Sequence, residues 1–152
     1  EMMLFFCLKD MLEGLQSKMN RMKVDENTAW FYVVDREAQF EIIRLNTEDQ
    51  LFDDGIRSDS SSLPDYSDAS VNIYGKRAGA MTLKDTGAFY QSFFVKVDSS
   101  GIIINADTVK EDTDLLKYGE KILGLTEENL GLLRQLLVMN YREFLRDKIA
   151  VS

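Results

Sequence analysis

A long helical pattern of apolar residues near the end of the chain restricts its fold more than any other feature. From residue 127 to about 149, apolar side chains recur at spacings of three and four, the period of one helix face. Thr126 is a good N-cap residue, acidic residues follow it, and basic residues lie near the far end, as the helix dipole favours. The pattern predicts a helix over 127–149 that needs a second layer to cover one face. That face and its flanks comprise Leu130, Leu133, Leu136, Leu137, Tyr141, Phe144, Leu145, Lys148 and Ile149.

A second pattern predicts a β-hairpin in the middle of the chain. Over residues 93–97, Phe and Val at the odd positions alternate with Phe94 and Lys96, which is the period of a strand. Residues 98–101 are a turn sequence that ends in glycine, and three isoleucines follow at 102–104. We therefore predict an α+β fold with an N-terminal helix or helices, a central β-hairpin or small antiparallel sheet, and a long C-terminal helix.

The N-terminal stretch is apolar at its start and helical in its period. Residues 2–8 are as apolar as part of a signal peptide, but a basic start and a small-residue cleavage site are missing. Helical spacing over 2–23 predicts a helical arm over about 1–24, within a single domain of 152 residues. Two locations for this arm remain open, the core of its own domain or the surface of a neighbouring subunit. The single thiol, Cys7, is expected to be buried and inert. The apolar stripe comprises Leu4, Leu8, Leu12, Leu15, Met19 and Met22.

The segment 28–46 fits two secondary structures. Its first residues, TAWFYVV, have strand propensity, whereas its apolar residues are spaced as one helix face. A strand followed by a helix and a single helix both remain open; the spacing favours a helix to about residue 46, with Asp25 as its N-cap.

Thr47 is predicted to cap a short turn at 48–53. Two more short helices are predicted, at 86–90 with Thr86 as N-cap, and at 112–118 with Asp112 or Thr113 as N-cap.

Residues 53–72 are predicted to form an acidic, serine-rich loop, which contains the only proline of the chain. Seven acidic residues and one basic residue lie between 48 and 68, a balance of −6 within a net charge of −8. The acids do not follow the regular ligand spacing of a calcium loop, so we expect a solvated or partner-facing loop and no metal site. The following stretch is basic, with Lys76, Arg77 and Lys84. Acidic and basic segments can pair within one subunit or between neighbouring subunits.

Composition and missing motifs exclude several classes of chemistry. The chain has no histidine and one cysteine, which excludes Cys/His zinc sites, histidine-based triads and an intrachain disulfide. No phosphate-binding loop or nucleophile-elbow motif is present, and no apolar run approaches the roughly 20 residues of a membrane span. The net charge of −8 disfavours binding to nucleic acid. We therefore expect a protein that is not an enzyme, with no cofactor and no membrane partner.

The sequence MTLKDTGAFYQSFFVKV at 81–97 resembles a recurring element of tailed-phage structural proteins. In the neck, tail-completion and virion-morphogenesis families, a leucine is followed by Asp-Thr-Gly, a short hydrophobic turn, a serine and a strand. The family often has a glycine-bearing turn where this chain has three serines at 60–62. The positions that match the motif, expected to have a structural role, are Leu83, Asp85, Thr86, Gly87, Phe89 and Ser92. Further similarity to proteins of phages and prophages of Bacteroidetes-type hosts lies at 46–59, 64–67, 74–77 and 117–130, so that about 40–135 is covered.

The resemblance implies a non-enzymatic virion subunit at the head–tail junction. Such subunits form homo-oligomeric rings that connect the portal to the tail, so the expected partners are further copies of the chain and portal, capsid or tail proteins. Assembly is expected in the host cytoplasm and the final location in the virion, with DNA at most passing through the ring channel. A minor tail or baseplate component and a monomeric protein-binding adaptor are the alternatives. The charge pattern then gives six candidate interface residues, Asp53, Asp54, Asp59, Lys76, Arg77 and Lys84.

Overall fold

The computed structural model describes residues 2–3, 26–98, 101–110 and 113–151, and its architecture is α+β, as predicted. The helices are α1 (Glu26–Val33), α2 (Arg36–Arg44), a π-helix (Leu45–Asp54), α3 (Asp68–Tyr74), α4 (Ala88–Gln91), two 3₁₀ helices (Leu115–Tyr118 and Glu120–Ile122) and α5 (Glu127–Val151). The strands are β1 (Met2–Met3), β2 (Phe94–Asp98), β3 (Gly101–Asn105), β4 (Val109–Lys110) and β5 (Thr113–Asp114). Within these segments, no helix combines the length and apolarity needed to cross a membrane.

The long helix α5 has the predicted start and the predicted buried face. The Thr126 hydroxyl oxygen accepts a hydrogen bond from the Asn129 backbone N–H at 3.3 Å, which confirms the N-cap. The helix packs against α1 and α2, and each large apolar side chain that it buries contributes ~1.5–3 kcal/mol. Lys148, at the end of the predicted face, is exposed. The buried members of the face are Leu133, Leu137, Tyr141 and Phe144.

The predicted hairpin is confirmed as β2 and β3, which pair antiparallel in a three-stranded sheet of order β1–β3–β2. The three consecutive isoleucines of the central strand are all buried, so both faces of β3 are covered. The prediction of a helix from residue 2 is wrong for Met2 and Met3, because these residues pair with Ile104 and Ile103 of β3. The rest of the predicted arm, including Cys7, lies outside the described residues.

The segment 26–54 is helical, so the helix is the correct one of the two open alternatives, although it is not continuous. The chain leaves the helical path after α1, at Val34 and Asp35. The Asp35 carboxylate accepts a hydrogen bond from the Ala38 N–H at 2.8 Å and caps α2, which gives the new helix its own start. The predicted cap Asp25 lies outside the described residues.

The helical chain continues beyond residue 46 as the π-helix, so Thr47 does not cap a new turn and that prediction is wrong. Thr47 is buried, and its hydroxyl donates a hydrogen bond to the Ile43 carbonyl at 2.8 Å. Gly55 ends the π-helix with φ 65°, in the left-handed region. A Cβ atom at Gly55 would lie 2.5 Å from the Ala80 Cβ, so both the backbone conformation and this close approach require glycine.

The acidic segment 53–72 is only partly a loop. Ser67 accepts a hydrogen bond from the Ser70 N–H at 3.2 Å and caps α3, so the prediction of a loop as far as residue 72 is wrong. A serine cap followed by aspartate stabilises the first turn of a helix, and this signal is hidden by the serine-rich composition. Within the remaining loop, the Arg57 guanidinium donates a hydrogen bond to the Tyr118 carbonyl at 2.6 Å.

The helix predicted over 112–118 is shorter and begins at Leu115, as a 3₁₀ helix. Asp114 is its cap, because its carboxylate accepts a hydrogen bond from a backbone N–H of the first turn at 2.9 Å. The predicted cap is therefore wrong for Thr113, which is in β5, and Asp112 lies outside the described residues.

Candidate functional site

The residues that carry the tailed-phage resemblance form a tight turn ahead of β2. Gly87 has φ 86°, and the Thr86 hydroxyl oxygen accepts a hydrogen bond from the Ala88 N–H at 3.3 Å. The predicted short helix is confirmed as α4, with Gly87 rather than Thr86 at the cap position. Leu83 also has a positive φ, 57°, which is uncommon for a residue other than glycine. Two left-handed residues four positions apart turn the chain sharply here.

Ser92, at the end of this turn, forms hydrogen bonds with two parts of the chain. The Ser92 hydroxyl donates a hydrogen bond to the Phe89 carbonyl at 2.7 Å and accepts one from the Asp107 N–H at 3.0 Å. Phe89 is buried, and its ring meets the Phe93 ring edge-on with centroids 5.0 Å apart. These contacts support the structural role expected for the motif.

Asp85 joins two basic side chains from different parts of the chain. Its carboxylate lies 2.9 Å from the Lys76 Nζ and 2.6 Å from the Lys110 Nζ. The hydrogen bonds from Lys110 and Lys76 lower the pKa of Asp85 to about 2. The carboxylate is therefore ionised at neutral pH and ties the segment after α3 to strand β4.

Lys84 lies beside one carboxylate and two aromatic rings. Its Nζ is 3.2 Å from a Glu48 carboxylate oxygen, 4.4 Å from the centroid of the Phe52 ring and 5.3 Å from that of Tyr90. Burial raises the pKa of Tyr90, whose hydroxyl donates a hydrogen bond to the Thr82 carbonyl. An ion pair and two cation–π contacts therefore hold the lysine within its own subunit.

Arg77 is also engaged within the chain. Its guanidinium donates a long hydrogen bond of 3.4 Å to the Asp53 backbone carbonyl and lies 5.7 Å from the centroid of the Phe52 ring. The basic segment is therefore paired within its own subunit, but the ion pairs of its lysines do not involve the acidic loop.

Asp59, within the acidic loop, forms an ion pair and hydrogen bonds inside its own chain. Its carboxylate lies 2.7 Å from the Lys121 Nζ and accepts hydrogen bonds from the Ser61 hydroxyl and N–H at 2.5 and 3.0 Å. The hydrogen bond from Lys121, followed by those from Ser61, lowers the pKa of Asp59 well below its usual range. This candidate interface residue is therefore bonded inside its own chain.

Asp53 and Asp54 remain as exposed carboxylates. Together with Glu128, near the start of α5, they line a cavity of about 330 Å³. Within the described segments neither aspartate has an ion-pair partner, whereas Asp49 in the same cavity pairs with Arg44 at 2.6 Å. The part of the chain that the structure describes holds no group of three or more acidic or cysteine side chains arranged to bind a metal ion. The cavity is therefore an acidic surface with unpaired charge.

Buried amides below this surface connect the π-helix to the start of α5. Gln50 is 1% exposed; its amide nitrogen donates to the Gly124 carbonyl at 2.9 Å. Its amide oxygen accepts from the Thr126 N–H at 2.8 Å and from the Asn129 side chain at 3.0 Å. The Asn46 side chain accepts from the Gly124 N–H at 2.8 Å. The network therefore fixes the segment that begins α5 against the end of the π-helix.

Sequence reasoning did not find this network. Asn46 and Gln50 are four residues apart and continue the buried face that Ala38 and Ile42 begin. The available signal was that Asn46 and Gln50 extend this apolar spacing past the predicted helix end at about residue 46, since amides on a buried face need partners. The partners lie 74 to 79 residues further along the chain, beyond the reach of periodicity.

Comparisons of the chain with protein-family models, with curated proteins and with solved structures gave no match.

Proposed function

We propose that this chain is a non-enzymatic structural subunit of a tailed-phage virion, at the head–tail junction, where copies form a ring that connects portal to tail. The resemblance at 81–97 supports the family. The observation that carries the ring is a separation of unpaired charge, with exposed acids near the start of α5 and exposed arginines near its end. Contacts that join two different surfaces of one subunit generate rings when the rotation closes.

The two charged surfaces lie far apart on the subunit. Asp53 and Asp54 form the acidic surface beside the first turn of α5. Arg142 and Arg146 are exposed on the last turns of α5, with no ion pair among the described residues. The axial distance from residue 128 to residue 146 is ~27 Å at a rise of ~1.5 Å per residue. This separation exceeds the ~8–10 Å range of screened charge interactions, so the acidic surface and the two arginines do not neutralise each other within one subunit. Each can then meet its counterpart on a neighbouring copy in a head-to-tail contact.

The internal ion pairs determine which cations are available to a neighbour. The charge pattern of the sequence predicts that Lys76, Arg77 and Lys84 are the partners of the acidic loop. Both lysines already have carboxylate partners in their own chain, so a neighbour would gain little by exchanging one exposed ion pair for another. We therefore assign the basic side of the contact to the α5 arginines.

Asp59 and Asp85 are themselves poor candidates for general acids. A general acid at neutral pH needs a pKa raised towards the operating pH. The lysines beside Asp59 and Asp85 lower the pKa of both carboxylates instead. These groups act as fixed charges in ion pairs.

Charge reversal tests the proposed contact between copies. Asp53→Lys combined with Asp54→Lys places lysines against Arg142 and Arg146 of the next copy. The reversed surface then repels the arginines. We expect the ring to be lost when native mass is measured by light scattering. Adding Arg142→Glu and Arg146→Glu reverses the other surface and is expected to restore the ring.

The matched control makes the same change of charge elsewhere. Asp65→Lys combined with Asp68→Lys alters two exposed acids outside the cavity and is expected to leave the ring intact. A ring that survives the first reversal rejects this contact. A wild-type chain that forms no ring, either alone or with portal protein, rejects the proposed function.

A further inference from the structure

Helix α5 borders a second surface feature, which shares only Leu132 with the lining of the acidic cavity. One cavity of about 520 Å³ lies between α2 and α5, and another of about 300 Å³ lies between α1 and α5. We call these two cavities together the α5 groove. Five of the α5 residues that line it recur at spacings of four, four, three and four, which places them on one stripe of the helix. They are Leu132, Leu136, Asn140, Glu143 and Asp147.

The α5 groove exposes large apolar side chains. Phe31, Phe40 and Tyr32 are 63%, 61% and 56% exposed, and Leu132 is 49% exposed. The Tyr32 ring packs on the Phe144 ring with centroids 5.0 Å apart, which gives the smaller cavity an aromatic wall. Exposed apolar side chains grouped in this way and rimmed by polar residues are typical of surfaces that contact another molecule.

The rim of the groove is acidic. Five carboxylates line it, and among the described residues the only cation in the lining is Arg44. The Arg44 guanidinium is already bonded, at 2.8 Å to Glu41 and at 2.6 Å to Asp49. The carboxylates of the rim are Asp35, Glu37, Glu41, Glu143 and Asp147.

Two rings of the groove already interact with cations of the same chain. The Arg36 guanidinium lies 5.6 Å from the centroid of the Phe40 ring, and the Lys148 Nζ lies 5.7 Å from that of Phe144. With Arg44, three cations therefore stand against the five carboxylates of the rim. The rings therefore have a geometry that accepts cations, and the balance of charge stays negative.

We propose that the α5 groove binds a basic amphipathic helix of a partner protein. The stripe from 132 to 147 is ~22 Å long, which matches about four turns of a helix. The apolar face of such a helix fills the two cavities while its lysines and arginines meet the acidic rim. A second copy placed by a two-fold axis would set the same carboxylates against each other, so charge favours a different protein. Asp53, Asp54, Arg142 and Arg146 line neither cavity, so the inference does not depend on the ring.

Peptide binding to the full-length chain tests the proposal. The probe is a labelled 18-residue amphipathic helix of about equal leucine and lysine content, which is long enough for the ~22 Å stripe. Its binding is measured by fluorescence anisotropy. We expect binding that weakens with added salt, binding that is about tenfold weaker for a scrambled peptide of the same composition, and none for a leucine–glutamate helix. Phe40→Ala, and Glu143→Gln with Asp147→Asn, are each expected to weaken binding about tenfold.

Two matched variants separate the groove from general charge attraction. Ile73→Ala removes an apolar side chain that is more exposed than Phe40 and lies outside both cavities, and Asp65→Asn with Asp68→Asn removes two carboxylates elsewhere. Both are expected to bind the peptide as the wild type does, with circular dichroism confirming that every variant is folded. Absence of binding, equal loss in the control variants, or a wild-type dimer that Phe40→Ala dissociates would each overturn the proposal.

Discussion

Replacing Gln50 with leucine tests whether the buried amide network holds the π-helix to the start of α5. The change keeps an apolar side chain of similar size and leaves the Gly124 carbonyl and the Thr126 N–H without partners. Asn129 loses one bond but keeps a second, to the Leu45 carbonyl at 3.3 Å. The Asn129 side-chain N–H that loses its acceptor is the third unpaired buried group. The three groups cost ~5 kcal/mol in total, since each costs ~1–3 kcal/mol. Burial of the leucine returns ~2 kcal/mol. The expected net loss is therefore about 3 kcal/mol, against a typical domain stability of ~5–15 kcal/mol.

Urea unfolding followed by circular dichroism measures this loss. With a slope of ~1–3 kcal/mol per molar urea, the midpoint is expected to fall by ~1–3 M without a change of slope. Gln39→Leu is the matched control, because the half-buried Gln39 amide donates a single hydrogen bond, to the Val34 carbonyl at 3.1 Å. Its expected loss is about 1 kcal/mol. The reasoning is refuted if Gln50→Leu costs no more stability than Gln39→Leu.

Two further predictions concern the backbone and the pH dependence. Gly55→Ala is expected to lower the free energy of unfolding in urea by at least ~2 kcal/mol, because strain at positive φ adds to the clash with Ala80. Gly75 has nearly the same φ but open space around it, so Gly75→Ala is expected to cost only ~1 kcal/mol. Equal losses in the two variants would exclude the close approach as a cause. The folded-state pKa of Asp85 is lowered from 3.8 to about 2, so its ion pairs stabilise the fold above about pH 4 and this contribution disappears as the pH falls to 2. Because the carboxylate is mostly exposed, we expect an advantage over Asp85→Asn of less than ~1 kcal/mol at pH 7 that is largely lost at pH 2. A difference that is constant over this range contradicts the assignment.

The parts of the fold that follow from local sequence were predictable. The face of α5 repeats over many turns, and the hairpin combines strand alternation with a turn that ends in glycine, so both patterns are strong. The predictions failed where a tertiary contact or a single cap decides the path of the chain. Asp35 starts a new helix inside an unbroken apolar pattern, and Thr47 bonds back to its own helix instead of capping the next one.

The candidate site could be predicted only as a set of charges. The acidic and basic segments are visible in the sequence, but the ion pairs of the site join residues that are 9 to 62 positions apart, as in Asp85 with Lys76 and Asp59 with Lys121. Such pairs depend on how the loop, β4 and the 3₁₀ helices meet in three dimensions. The unpaired charge of Asp53 and Asp54 emerges only after these internal pairs are known.

The most direct test of the ring is the native mass of the wild-type chain, measured by light scattering alone and after mixing with the cognate portal protein, with negative-stain images of the same samples. We predict a closed ring of fixed mass, alone or on the portal. A chain that remains a monomer in both samples and shows no binding to the portal contradicts the proposed function.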